Sequence, residues 1–210
     1  MKKYIVEFIG TFFLILTIII SVNSGLGNFA PLAIGAILMA MIYAGGHISG
    51  AHFNPAVTLG VFLRGKCSAS DIPGYVIAQL TGGVLAALVG KVLLGYLNPE
   101  LTISPSPLFN AIGGGLAEFL GTFALVWVIL HVATAKGTEG NSFYGMAIGF
   151  TVTACAYSLG GITGGAFNPA VVAGITVIEM SSLSNIPVFL VAQLLASAAA
   201  AFMFKFVNSG

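Results

Sequence analysis

Gly46-His47-Ile48-Ser49-Gly50-Ala51-His52-Phe53-Asn54-Pro55-Ala56-Val57 is written a second time in this chain, as Gly160-Gly161-Ile162-Thr163-Gly164-Gly165-Ala166-Phe167-Asn168-Pro169-Ala170-Val171. The two copies stand 168 − 54 = 114 residues apart in a chain of 210. In each, a glycine-rich segment runs into Asn-Pro-Ala, where Asn suits a helix N-cap and Pro suits the first helical position. Each copy therefore predicts a loop that ends in a helix start. The helix that follows is short, from Asn54 to about residue 63 and from Asn168 to about residue 178. Roughly ten residues reach ~15 Å at 1.5 Å per residue, half of a hydrocarbon core ~30 Å thick. Irregular backbone at membrane depth is tolerated only where it is buried in protein or lines a wet cavity. Two half-helices preceded by such backbone point to a polar passage.

The rest of the chain is built to cross a bilayer. Hydrophobic residues make up 58% of it, charged residues 6%, and the mean hydropathy is +1.04, which is the composition of a membrane protein. A net charge of +1 gives no reason to expect nucleic acid or an acidic partner. After Met1-Lys2-Lys3 the apolar run has no small-residue cleavage site, so the first span is expected to be retained. Apolar runs bounded by Gly, Pro, Asn and charge place six spans at about 4–22, 31–46, 73–96, 114–133, 142–160 and 187–207. The connection 97–113, with Pro99, Pro105 and Pro107, divides the halves.

Internal similarity extends beyond the two boxes. Glu7-Phe8-Ile9-Gly10-Thr11-Phe12 returns as Glu118-Phe119-Leu120-Gly121-Thr122-Phe123, and Tyr75-Val76-Ile77-Ala78-Gln79-Leu80 as Phe189-Leu190-Val191-Ala192-Gln193-Leu194. The unit is three spans plus one half-helix, with repeat 1 at about 1–97 and repeat 2 at about 114–210 of a single domain over 1–210. Three spans is an odd number, so the units insert with opposite orientation and form an inverted repeat. Lys2, Lys3, Arg64, Lys66, Lys136 and Lys205 then fall on one side, with Lys91 the exception. The positive-inside rule puts that side, and both termini, in the cytoplasm.

Paired Asn-Pro-Ala boxes, one in each half of a six-span chain, resemble the aquaporin or major intrinsic protein family, and the resemblance covers nearly the whole chain. It implies an all-α membrane fold of six transmembrane helices plus two re-entrant half-helices, a homotetramer with one pore per subunit, and a place in a cellular membrane. It assigns the pore motifs to Asn54, Pro55, Ala56, Asn168, Pro169 and Ala170. As caps, the two asparagines occupy their side-chain oxygens with backbone N–H groups and leave amide donors free to face the passage. A water accepting from both turns its hydrogens away, and the converging positive dipole ends repel cations. In the family the matching glutamates brace the loops before the half-helices, a role carried to Glu7 and Glu118, and His52 matches a position that helps hold the first loop. The glycine-rich segments 45–53 and 160–167 are expected to line one wall with carbonyls, and Gly82, Gly83, Gly113, Gly114 and Gly115 to serve helix packing.

By the family's spacing the outer filter falls on Ile34, Ala156, Gly165 and Val171. Most members carry Arg where this chain has Val171, and the glycerol-conducting branch carries Asp near the position of Val172. A filter of Ile, Ala, Gly and Val is wide and apolar. The expected function is passive conduction of water with passage of ammonia, urea, glycerol or hydrogen peroxide. The alternatives are a solute facilitator in which water is incidental and a junction or scaffold protein with a closed pore. His47, His52 and His131 form no metal-ligand grouping with Cys67 and Cys155, and His47 and His131 read as interior histidines. No nucleophile and base pattern or phosphate-cradling loop is present, so no enzyme, metal or cofactor is expected.

Overall fold

Five of the eight α-helices begin with proline in the first or second position, where its missing N–H costs nothing and its fixed φ starts the helix. The computed structural model describes residues 1–103 and 109–208. Along these the order is α1 (Lys2–Asn23), α2 (Ala30–Ser49), α3 (Pro55–Leu63), α4 (Ile72–Leu97), α5 (Ala111–Thr134), α6 (Tyr144–Thr163), α7 (Pro169–Val177) and α8 (Ile186–Val207). Six of them are long and apolar enough to cross a membrane, while α3 and α7 have nine residues each. Pro105 and Pro107 lie outside the described residues.

One sequence expectation is corrected here. The helices α2 and α6 run on through Gly45-Gly46 and Gly160-Gly161 and stop at Ser49 and Thr163. The cause is where the left-handed cap falls. Gly50 (φ 84°) and Gly164 (φ 90°) donate their N–H groups to the carbonyls of Gly46 and Gly160, and that backbone favours glycine. The irregular backbone is therefore four residues in each half, 50–53 and 164–167.

The helices pack as two matched sets that exchange their half-helices. α1 packs on α4 and α2, as α5 packs on α8 and α6, and α2 meets α6 between the halves. α3 packs more on α8 than on its own α4, and α7 more on α4 than on α8. Glycines permit these approaches. A Cβ at Gly82 would press on the backbone of Phe8, and one at Gly83 would stand 2.9 Å from the carbonyl oxygen of Ala170. Gly114 makes room for the Phe109 ring, but Gly113 and Gly115 have no comparably close neighbour within the described chain. The buried apolar residues form two clusters, one around Leu38, Phe53, Val126 and Phe204, the other around Ile15, Ala86, Ala170 and Phe189.

Candidate functional site

Each irregular segment is held by a buried carboxylate. Glu7 and Glu118 are fully buried, and a charge placed there would cost several kcal/mol without compensation. Each meets four donors instead of a counter-ion. Glu7 Oε1 accepts from Ser49 Oγ (2.7 Å) and the N–H of His52 (2.9 Å), and its Oε2 accepts from the N–H of Phe53 (2.7 Å) and Gln79 Nε2 (2.8 Å). Glu118 repeats this with Thr163 Oγ1 (2.5 Å), the N–H groups of Ala166 (3.0 Å) and Phe167 (2.8 Å), and Gln193 Nε2 (2.8 Å). Ser49 Oγ and Thr163 Oγ1 also accept from the N–H groups of Ala51 and Gly165. The backbone so fixed is unusual, since Ala51, Phe53 and Phe167 all have φ near +50°. Non-glycine residues persist there only when their surroundings over-determine them. The Phe53 and Phe167 rings lie against Gly10 and Gly121, where any Cβ would overlap them.

Both segments deliver an asparagine to the start of a half-helix. Asn54 Oδ1 accepts from the N–H groups of Ala56 (2.8 Å) and Val57 (3.4 Å), and Asn168 Oδ1 from that of Ala170 (2.8 Å). Their amide nitrogens cross to the other half. Asn54 Nδ2 donates to the carbonyl of Phe167 and Asn168 Nδ2 to that of Phe53, each at 2.9 Å. This modifies the expectation that both amides are wholly free, because one of the two hydrogens on each is taken and one is left.

Asn54 and Asn168 line a central cavity of about 160 Å³. Ile34, Ala156, Gly165 and Val171 line it as well, and it reaches Val22, Met180 and Ser181 at one end. Among the described residues, no Asp, Glu, Lys or Arg stands in its wall. At the other end it shares Ile42, Ala51, His52, Ile129 and Ile148 with a second cavity of about 720 Å³, whose wall includes Lys66, Asp71, Lys136 and Glu139. Other cations gather at this basic end. Lys3 pairs with Asp71 at 2.7 Å, and the Arg64 guanidinium stands 4.8 Å from the centre of the Phe204 ring.

The histidines differ from one another. His131 is half-buried rather than interior, with Nδ1 2.9 Å from the Trp127 carbonyl and its ring on Phe204. His47 is not interior. Because α2 continues to Ser49, the helical turn carries His47 to an exposed position in the wall of the second cavity. His52 is buried with Nδ1 3.1 Å from Thr58 Oγ1. Ser49, Thr58, Gln79, Thr163 and Gln193 were missed as partners in the sequence reading. The signal was there in part, since Ser49 and Thr163, like Gln79 and Gln193, recur at the spacing of 114 as polar groups in apolar helices. Cys67 and Cys155 are both free thiols.

Comparison with known proteins agrees with this geometry. The family described as "Major intrinsic protein" matches residues 1–204. The chain is 35% identical over its whole length, and 99% of the relative's, to a protein of Lactiplantibacillus plantarum named "Glycerol uptake facilitator protein-like 6". It is 33% identical to "Probable aquaporin NIP4-2" of Arabidopsis thaliana, over 99% of this chain and 75% of that one. It is 31% identical to "Aquaporin AqpM" of Methanothermobacter thermautotrophicus, over 99% and 98%. In fold it matches the X-ray structure of the aquaglyceroporin from Plasmodium falciparum with a TM-score of 0.83, at 24% identity over 97% of this chain and 94% of that one. Two asparagine-capped half-helices set tip to tip among six apolar helices, together with a family match over nearly the whole sequence, establish that the chain belongs to the major intrinsic protein family.

Proposed function

We propose that this channel conducts water passively in both directions, and with it small uncharged solutes such as ammonia, urea, glycerol and hydrogen peroxide. The observation that carries the reading is a continuous wall without a charged side chain, in which Ile34, Ala156, Gly165 and Val171 stand together. Apolar side chains offer few donors to replace a solute's hydration, so size sets the limit and no fixed cation narrows the filter. The Asn54 and Asn168 amide hydrogens left over from the crossed bonds, with the dipole ends of α3 and α7, oppose passage of protons and cations. Glu7 and Glu118 act as loop supports, as does the backbone of His52. The whole of 1–210 is one channel domain in the cell membrane, with the basic end and both termini in the cytoplasm. Four copies assemble, each with its own passage. A relative named as a glycerol uptake facilitator, matched over 99% of its length, favours a second reading in which solute transfer matters more than water flow.

Stopped-flow light scattering on proteoliposomes tests this. An impermeant sugar gradient should shrink the vesicles faster than empty liposomes, and urea and glycerol should then enter. Val171→Arg adds a cation and several donors at the filter, and should cut urea and glycerol permeation by about tenfold or more while water flow stays within a few-fold. A wild type that already excludes urea and glycerol would mean that the filter is narrow.

A further inference from the structure

The central cavity has one sulfur atom in its wall. Among the described residues that line it, Met180 alone carries sulfur, beside Val22 and Ser181 at the end away from the second cavity. Cys67 lines the second cavity and Cys155 lines neither. In the first half the matching position, 114 residues earlier, holds Lys66, so the thioether is not part of what the repeat shares.

Met180 is half-buried and held at two points. Its N–H donates to the carbonyl of Ile175 (2.8 Å) across Glu179, and its Sδ stands 3.4 Å from Asn23 Nδ2. The other hydrogen of that amide goes to the carbonyl of Ile19 (2.7 Å), which ties the Asn23 side chain to its own helix. A thioether is only a weak acceptor, so a fixed amide donor gains little from it. Oxidation would turn the same side chain into a polar sulfoxide, whose oxygen is a strong acceptor. Sδ and Nδ2 are already in contact, with no room for an oxygen between them. An oxygen that takes the amide hydrogen therefore pushes the sulfur and its methyl group towards the cavity, and one that does not take it projects into the cavity itself. Either way this end of the passage narrows.

We propose that Met180 is a modification site, a thioether that hydroperoxides in the passage oxidise to the sulfoxide, with Asn23 as the donor that receives the new oxygen. A sulfur lone pair attacks one peroxide oxygen, and the S–O bond forms as the O–O bond breaks. The departing hydroxide takes the proton of the transferred oxygen and leaves as water, so sulfur is oxidised and the peroxide reduced by the same electron pair. The inference rests on the channel reading, in which hydrogen peroxide is among the solutes. It gives that solute an effect on its own path, which size-limited solutes such as glycerol feel most.

The test treats purified channel with hydrogen peroxide, reduces part of it afterwards with methionine sulfoxide reductase, and reconstitutes every sample in liposomes. Peptide mass spectrometry should find one added oxygen on Met180, and the glycerol-to-water permeability ratio should fall about twofold or more, because pore width sets what passes. The reductase should restore the ratio, and Met180→Leu should be insensitive to peroxide from the start. Met146 and Met203 are exposed but line neither cavity, so their oxidation in Met180→Leu should leave the ratio unchanged. Met180 left as a thioether where Met146 and Met203 are oxidised overturns the proposal. So does a ratio that stays constant while Met180 is oxidised, or a fall that persists in Met180→Leu. Untreated channel no faster than empty liposomes for water and for glycerol sinks the channel reading instead, and the peptide map still reads the Met180 chemistry in that case.

Discussion

The two halves solve the same mechanical problem with different amounts of material. Both fold four residues of irregular backbone around a buried glutamate with four donors, and both end in an asparagine that reaches across to the other half. Around Glu118 the support stops there. Around Glu7 it continues, since Tyr75 donates to the carbonyl of Ser49 at 2.6 Å and Thr58 gathers His52, Gln79 and Asn54. At the corresponding places the second half has Phe189, Val172 and Ala166. The two half-helices also end differently. Lys66 donates to the carbonyl of Val61 across Gly65 (φ 81°), and Met180 to that of Ile175 across Glu179 (φ 65°), the same capping turn with glycine in one half and a strained residue in the other. What the repeat keeps is the means of holding the loop, and what it varies is the polarity beside it.

The largest effect should come from removing the shared element. Glu118→Gln replaces two acceptor oxygens by one oxygen and an NH2 group that faces donors, in a loop with little other support. A loss of roughly 2–4 kcal/mol is expected, read as reduced thermal stability in detergent. Glu7→Gln should cost about half as much, because the Tyr75 and Thr58 bonds still hold its loop. Equal losses would show that the additional network contributes no stability.

A smaller effect tests the additional network directly. Tyr75→Phe gives the first half the residue of the second and removes only the bond to Ser49, so a loss of about 1 kcal/mol is expected in the same assay. If the loss matches that of Glu7→Gln, the hydroxyl and not the carboxylate carries the loop.

The smallest change should be a gain. Glu179→Gly gives the second half-helix the cap of the first and relieves a left-handed residue, which should stabilise the protein by up to about 1 kcal/mol. A loss instead would mean that the Glu179 side chain makes a contribution larger than the strain of its backbone.

The architecture was legible because its signals are local. Asn-Pro, chain-length apolar runs and prolines at helix starts fix where helices begin, and α3 starts at Pro55 and α7 at Pro169 as the boxes predict. Glu7 and Glu118 stood out because charge is expensive in an apolar span. The loops start later than the glycine pairs suggest for a local reason as well, since α2 and α6 run through those pairs and stop where φ turns positive, at Gly50 and Gly164. Three features were not legible. The crossed asparagine bonds, the meeting of His52 and Gln79 at Thr58 and the exposure of His47 each depend on which faces meet in space, and neighbours in sequence do not record that.

The crossed bonds also bear on the order in which the chain becomes complete during synthesis. Asn54 and the carbonyl of Phe53 have their partners 113 and 115 residues further along. At ~5–20 residues per second the ribosome needs on the order of ten seconds to supply them. For most of that interval Ser49, His52, Phe53 and Gln79 have all been made, so the glutamate clasp of the first half can close, while the tip of its half-helix lacks the partner that will hold it. The clasp thus keeps an early-made half in shape until the later one arrives, and the first half, which waits longest, is the one with the additional bonds.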